Sequence, residues 1–180
     1  MIYFLPNLLS NSECKNMLKI FEKEKKITAS ADSSIAASGT KNSYGFNPKS
    51  DVFNLCLDKF KLDIIHLNSS ITSLLNVNTY IREYKNESIL EKHTDRLDIS
   101  TTMSICLEST INKNWPLFAE IRGKEYSFNT NVGDAILLFD ADKITHWRKE
   151  LLCGENQRVV QFFLHWKPTT YEVKKQKTII

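Results

Sequence analysis

The sequence predicts an α+β fold, mainly β: a double-stranded β-helix, or jelly roll, supported by N-terminal helices. Three observations carry this reading. Apolar residues recur at helical spacing in two stretches before residue 75, the period changes to two from Thr79 onward, and turn signals then separate seven or eight short runs. Antiparallel strands that follow helices in this way close a sheet on itself and back it with those helices. One domain is expected over 1–180, with its core at about 79–167 and its helical support at about 11–75.

The elements follow in order. Ile2 to Leu5 reads as a short strand, and Asn11 or Ser12 as the cap of a helix carrying Cys14, Met17, Leu18 and Phe21. Residues 28–50 are rich in Ser, Ala, Thr, Gly and Asn, the composition of a loop or weak strand. Such a loop either covers a site or is plain surface, and composition leaves both open. Asp51 is expected to cap a second helix with the stripe Phe53, Leu55, Leu57, Phe60, Ile64, Ile65 and Leu67, breaking near Asn68 with a shorter helical piece to Leu75. His66 on it reads as an ordinary packed or surface histidine. TYIREY places Tyr80, Arg82 and Tyr84 on one strand face, and STTMSICLES alternates Thr101, Met103, Ile105 and Leu107 against smaller polar partners. A hairpin turns at Arg122-Gly123-Lys124, and Gly133-Asp134 marks a turn before the buried run AILLF. His146–Arg148 and Arg158–Trp166 give the last two strands, with Trp147 and Trp166 expected in the core.

Bulk composition excludes several classes. The net charge of +3, spread evenly, argues against a nucleic-acid surface. No apolar run approaches membrane-spanning length, and MIYFLPNLL lacks the basic flank of a signal peptide. Cys14, Cys56, Cys106 and Cys153 form no CxxC pair, so reduced thiols and a cytoplasmic location are expected.

The chemistry concentrates between Tyr84 and Arg158. His93 and Asp95 are one residue apart, so on a strand they project to the same side. His146 returns on a later strand. Two imidazoles and one carboxylate hold a divalent metal on one face and leave the opposite positions open, the arrangement suited to non-heme Fe(II) and oxygen chemistry. An arginine near them can hold a carboxylate-bearing co-substrate through paired hydrogen bonds. Arg158 heads the face shared by Val160, Phe162 and Leu164 and is the first candidate; Arg148, on the same face as His146, is the second.

With Tyr84, His93-Thr94-Asp95, Gly133-Asp134, His146 and Arg158 in this order, and Leu8-Leu9-Ser10-Asn11-Ser12-Glu13-Cys14 near the start, the chain resembles the Fe(II)- and 2-oxoglutarate-dependent dioxygenases, in particular their prolyl-4-hydroxylase-like branch. The resemblance covers residues 3 to 167 and implies His93, Asp95 and His146 as iron ligands and catalytic residues, and Arg158 or Arg148 with Tyr84 as the 2-oxoglutarate site. Thr101 or Thr102 would add a hydroxyl there. It implies C–H hydroxylation coupled to conversion of 2-oxoglutarate and O2 to succinate and CO2, with ascorbate as an auxiliary reductant. The carboxylate of Asp95 argues against halogenation, and Leu164, where the nucleic-acid demethylases carry a second arginine, argues against base demethylation. KNESILEK contains no glycine where the family has a Gly-rich turn, which puts that strand connection in question. The substrate would be a peptidyl proline or other protein side chain, or else a free amino acid or small metabolite, turned over by a monomer or homodimer. Residues 28–50, 85–91 and 140–145 are the loops expected to contact it. The competing reading is a cupin-like metal-dependent isomerase or a non-catalytic ligand-binding barrel; His-Thr-Asp in place of His-x-His argues against it.

Overall fold

Residues 1–29 and 40–171 are described by the computed structural model. The chain runs β1 (Ile2–Leu5), α1 (Asn11–Ala29), β2 (Thr40–Phe46), α2 (Asp51–Leu67), β3 (Ile71–His93), β4 (Thr101–Ser109), β5 (Leu117–Ile121), β6 (Lys124–Phe128), β7 (Ala135–Phe139), β8 (His146–Arg148) and β9 (Val159–Tyr171). The strands form one antiparallel sheet in the order β1-β7-β4-β9-β3-β8-β5-β6, with β2 added to β3, and it curls into a nearly closed jelly roll backed by two helices.

Several local expectations change. Ser10, not Asn11 or Ser12, caps α1: its Oγ accepts the Glu13 N–H at 3.2 Å while the Glu13 carboxylate accepts the Ser10 N–H at 2.8 Å, a capping box. Ser50, not Asp51, precedes the first turn of α2. No helical piece reaches Leu75, because Ile71 already opens β3, held by pairing from Ile71 opposite Tyr171 to Tyr84 opposite Val159. The glycine-free KNESILEK belongs to the same strand; Glu87 takes a positive φ of 64° and a register shift follows before His93. Of the segment 28–50, residues 40–46 are a strand on β3, and residues 30–39 lie outside the described residues. Gly133, at φ +91°, is required where it stands: a Cβ there would lie 2.3 Å from the Leu9 carbonyl oxygen.

Strand alternation gives the sheet two differently dressed buried faces. Ile81, Met103, Ile105, Leu107, Val160, Phe162, Leu164 and Trp166 meet Met17, Phe21, Phe53, Leu57, Phe60 and Ile64 of the helices in the main core. Trp166 is fully enclosed and donates its indole N–H to the Leu57 carbonyl at 3.1 Å. The opposite face carries Asn78, Tyr80, Arg82, Tyr84, Thr102, Ser104, Phe163 and His165, and it lines a cavity.

Arg158 belongs to the helix-side face. Its guanidinium contacts Glu83 at 2.8 Å, Glu108 at 2.5 Å and Glu22 of α1 at 2.5 Å, and Glu83 also meets Lys25 of α1 at 2.5 Å. Burial pushes the Glu83 carboxyl up, but the bonds from Lys25 and Arg158 outweigh it and hold the group below its ordinary range. A carboxylate so depressed stabilises the fold fully above its unfolded pKa, and the contribution is lost as pH falls through the folded value. Arg158→Leu should therefore lower unfolding free energy by about 1–3 kcal/mol at neutral pH, read from urea midpoints. The gap from wild type should shrink on acidification below about pH 4.3, the ordinary glutamate value; a gap independent of pH would contradict this role.

Candidate metal and co-substrate site

The last residue of β3, His93, pairs directly with His146 on β8, and their rings lie 4.3 Å apart. Asp95 follows β3, its backbone N–H held by the Ala141 carbonyl at 3.0 Å, so the 140–145 segment buttresses it. One donor atom from each of His93, Asp95 and His146 lies within 4.8 Å of the others. They are the only such group found among the described residues.

The atoms around these three settle which donors face inward. His93 Nδ1 lies 2.8 Å from the Glu91 carbonyl and His146 Nδ1 lies 2.9 Å from the Ile144 carbonyl. A carbonyl only accepts, so each Nδ1 carries its proton and each Nε2 presents a lone pair. Both Nε2 atoms face Asp95 Oδ1, at 3.9 and 3.7 Å. The other Asp95 oxygen accepts a short hydrogen bond from Thr102, which leaves Oδ1 for a cation. Thr102 is thus the hydroxyl of the expected pair that reaches the site, while Thr101 lies on the other face of β4. Burial lowers the pKa of His146, against the opposing pull of Asp95, and so favours the neutral ligand form.

Behind this cluster lies a cavity of about 500 Å³, which Tyr84, Ser104, Leu117, Leu138 and Arg148 also line. Arg148, 2% exposed, donates from Nη1 to the Trp115 carbonyl at 2.5 Å and lies over the Trp115 ring at 4.8 Å. Its Nη2 is enclosed and has no hydrogen-bond partner, and no carboxylate pairs with Arg148 among the described residues. Burial pulls its pKa down. Tyr84 packs edge-on against Trp115 at 4.8 Å, and burial raises its pKa, so it remains a neutral phenol able to donate. A guanidinium kept from water without a counter-charge is costly, and an anion in the cavity would offset that cost.

Arg158 does not reach this cavity. The face it shares with Val160, Phe162 and Leu164 meets the helices, and its donors go to three glutamates. Arg148, the second candidate, is the one of the two arginines that lines the cavity. His66 stands on α2, and Trp147 stacks on Phe118 at 5.7 Å, away from the cluster.

Sequence reasoning assigned no role to Arg82, Tyr80, Phe163, His165 or Asn78, which complete the cavity wall. The signal for them was there: Tyr80 and Arg82 share the Tyr84 face of TYIREY, and Phe163 and His165 alternate with the core residues of VVQFFLHW. Arg82 is buried and donates to Ser43 at 2.7 Å and to the Tyr80 oxygen at 2.6 Å. His165 donates from Nδ1 to Asn78 Oδ1 at 3.1 Å, and burial pushes its pKa down to about 4, so the ring is neutral near pH 7. A second cavity of about 370 Å³ lies beyond Trp115, Cys106 and Gln161.

No protein-family model matches the sequence, and no curated protein does. Solved structures do match. A prolyl-4-hydroxylase from Pseudomonas putida is 12% identical over 91% of each chain, with a TM-score of 0.62. The collagen prolyl hydroxylase of Paramecium Bursaria Chlorella virus-1, solved as its 2-oxoglutarate complex, is 12% identical over 92% of this chain and 95% of that one, with a TM-score of 0.66. HygX from Streptomyces hygroscopicus, with nickel, 2-oxoglutarate and hygromycin B bound, is 13% identical over 93% and 83%, with a TM-score of 0.67. At such identities the likeness is one of fold: the chain has the fold of the 2-oxoglutarate–Fe(II) oxygenases, with prolyl hydroxylases among its structural neighbours.

Proposed function

We propose that this protein is an Fe(II)- and 2-oxoglutarate-dependent oxygenase that hydroxylates a C–H bond. In the net reaction 2-oxoglutarate, O2 and substrate C–H give succinate, CO2 and C–OH. The observation that carries the reading is the enclosed guanidinium of Arg148, without a carboxylate partner among the described residues, in the cavity that His93, Asp95 and His146 also line. A dicarboxylate that chelates a metal at one end needs a cation at the other.

The donor set fits iron: two neutral imidazoles and one carboxylate suit a six-coordinate divalent ion with open positions. Iron bound there would supply oxygen activation coupled to decarboxylation of the co-substrate. The chain's own residues do the rest. His93 and His146 present Nε2 because the Glu91 and Ile144 carbonyls hold their Nδ1 protons. Thr102 fixes the Asp95 carboxylate by binding the oxygen turned away from the imidazoles. Arg148 and Tyr84 receive the distal carboxylate of 2-oxoglutarate as charged and neutral donors. Buried Leu117 and Leu138 on the cavity wall, with Trp115 packed against Arg148 and Tyr84, keep water from that ion pair and strengthen it. The open side of the cavity faces the substrate, a peptide side chain or a small metabolite.

Succinate formation from 2-oxoglutarate with Fe(II), ascorbate and O2 tests the reading. Wild type should release succinate slowly even without substrate, and His93→Ala should release none. Arg148→Leu should raise the 2-oxoglutarate requirement on the order of 10–100-fold, with Arg148→Lys recovering part of it, whereas Arg158→Leu should leave it unchanged. Absence of succinate and of 2-oxoglutarate binding in wild type would overturn the proposal in favour of a cupin-like or ligand-binding barrel. Thr102→Val should leave 2-oxoglutarate binding intact but weaken iron retention about 10–100-fold, measured by competition with a chelator.

A further inference from the structure

We propose that His165 and Tyr80 form a substrate subsite at the mouth of the cavity that reads an uncharged amide, with its N–H donated to His165 and its carbonyl accepting from Tyr80. The two residues stand diagonally on the adjacent strands β9 and β3, since Tyr80 pairs with Phe163 and Asn78 with His165. Tyr80, Phe163 and His165 are all half-buried, unlike the fully buried Arg82, Tyr84 and Arg148 deeper in the cavity, so they stand where an incoming molecule meets the protein.

The hydrogen-bonding polarity of each is fixed by its neighbours. Asn78 donates its own Nδ2 to the Thr79 carbonyl at 3.3 Å, which turns Oδ1 toward His165. Oδ1 only accepts, so His165 Nδ1 carries the proton and Nε2 is a lone-pair acceptor. Nε2 has no partner among the described residues. Tyr80 has the complementary polarity. Its oxygen accepts from Arg82 at 2.6 Å, leaving its O–H to donate, and no acceptor for that proton exists among the described residues. The phenol packs against β2: a Cβ on Gly45 would lie 2.4 Å from the Tyr80 oxygen, so a larger residue there would displace the phenol.

Phe163 neighbours both residues, its ring 6.3 Å from the Tyr80 ring and 6.3 Å from the His165 ring, within 13° of the latter's plane. A flat apolar surface flanked by one acceptor and one donor matches a planar amide. A carboxylate offers no donor to Nε2, and an ammonium offers no acceptor to Tyr80. The amide can belong to a peptide or to a small carboxamide. Assigning the subsite to the substrate rests on the oxygenase reading; the binding chemistry itself does not.

Long-range 1H–15N spectra of the full chain, without added metal, test this. His165 should show protonated Nδ1 and unprotonated Nε2. Benzamide or the peptide N-acetylglycyl-prolinamide should shift the Nε2 resonance, and benzoate should not. A response to the peptide alone identifies a peptide amide as the source, and a response to benzamide alone a small carboxamide. His165→Phe, which keeps the ring, should weaken binding of the responding amide about tenfold, and His165→Gln, which restores an acceptor, should recover part of that loss. Protonated Nε2, no response to either amide, an equal response to benzoate, or undiminished affinity in His165→Phe would each overturn the proposal. Anaerobic Fe(II) and 2-oxoglutarate binding separates the two claims. If the iron complex forms but His165 ignores amides, the subsite fails and the oxygenase stands. If amides bind through His165 but no iron complex forms, the subsite stands and its assignment to an oxygenase substrate falls.

Discussion

The ladder between β3 and β9 decides where everything else points. Its register, with Tyr84 opposite Val159 and Tyr80 opposite Phe163, sends Val160, Phe162, Leu164 and Trp166 to the helices and Phe163 and His165 to the cavity. A slip of one residue would exchange the two sets. The slip would bury a polar wall against α1 and α2 and turn the core outward, which is why the pairing is so strongly specified. β4 obeys the same rule from the other side of β9: Met103, Ile105 and Leu107 face the helices, and Thr102 and Ser104 face the cavity.

The same constraint separates two arginines that look alike in the sequence. Arg158 and Glu83 are both on the helix side, so the guanidinium serves as a tie between α1 and the sheet. Arg148 sits one strand beyond β3 on the cavity side, and no described carboxylate reaches it. One cation is satisfied by three glutamates, and the other lines the cavity without a described carboxylate partner. Among the described residues the charge balance is complete at the first and incomplete at the second.

How far the sequence could be read follows from this geometry. The jelly roll and the convergence of His93, Asp95 and His146 were legible, because period-two alternation and the His-x-Asp spacing are local features. The apolar and polar halves of STTMSICLES were legible too, but not which half faces the site. Both faces of this sheet are buried, so hydrophobicity alone cannot name the helix side. The apolar face that Arg158 heads therefore does not say whether its guanidinium meets the helices or the cavity. The extent of β3 was missed because residues 71–78 are made strand by pairing with the end of β9, more than 80 residues away, and not by their own pattern. His165 and Tyr80 were passed over because an aromatic beside core residues reads as core until its neighbours show otherwise.

Anaerobic titration of the protein with Fe(II) and then 2-oxoglutarate asks whether the three inward donors and Arg148 form one site. One iron should bind per chain, with a visible charge-transfer band that grows on adding 2-oxoglutarate, no band in His146→Ala, and a band in Arg148→Leu only at much higher 2-oxoglutarate. Iron that binds without developing the band, or a band that survives loss of His146, would contradict a single site.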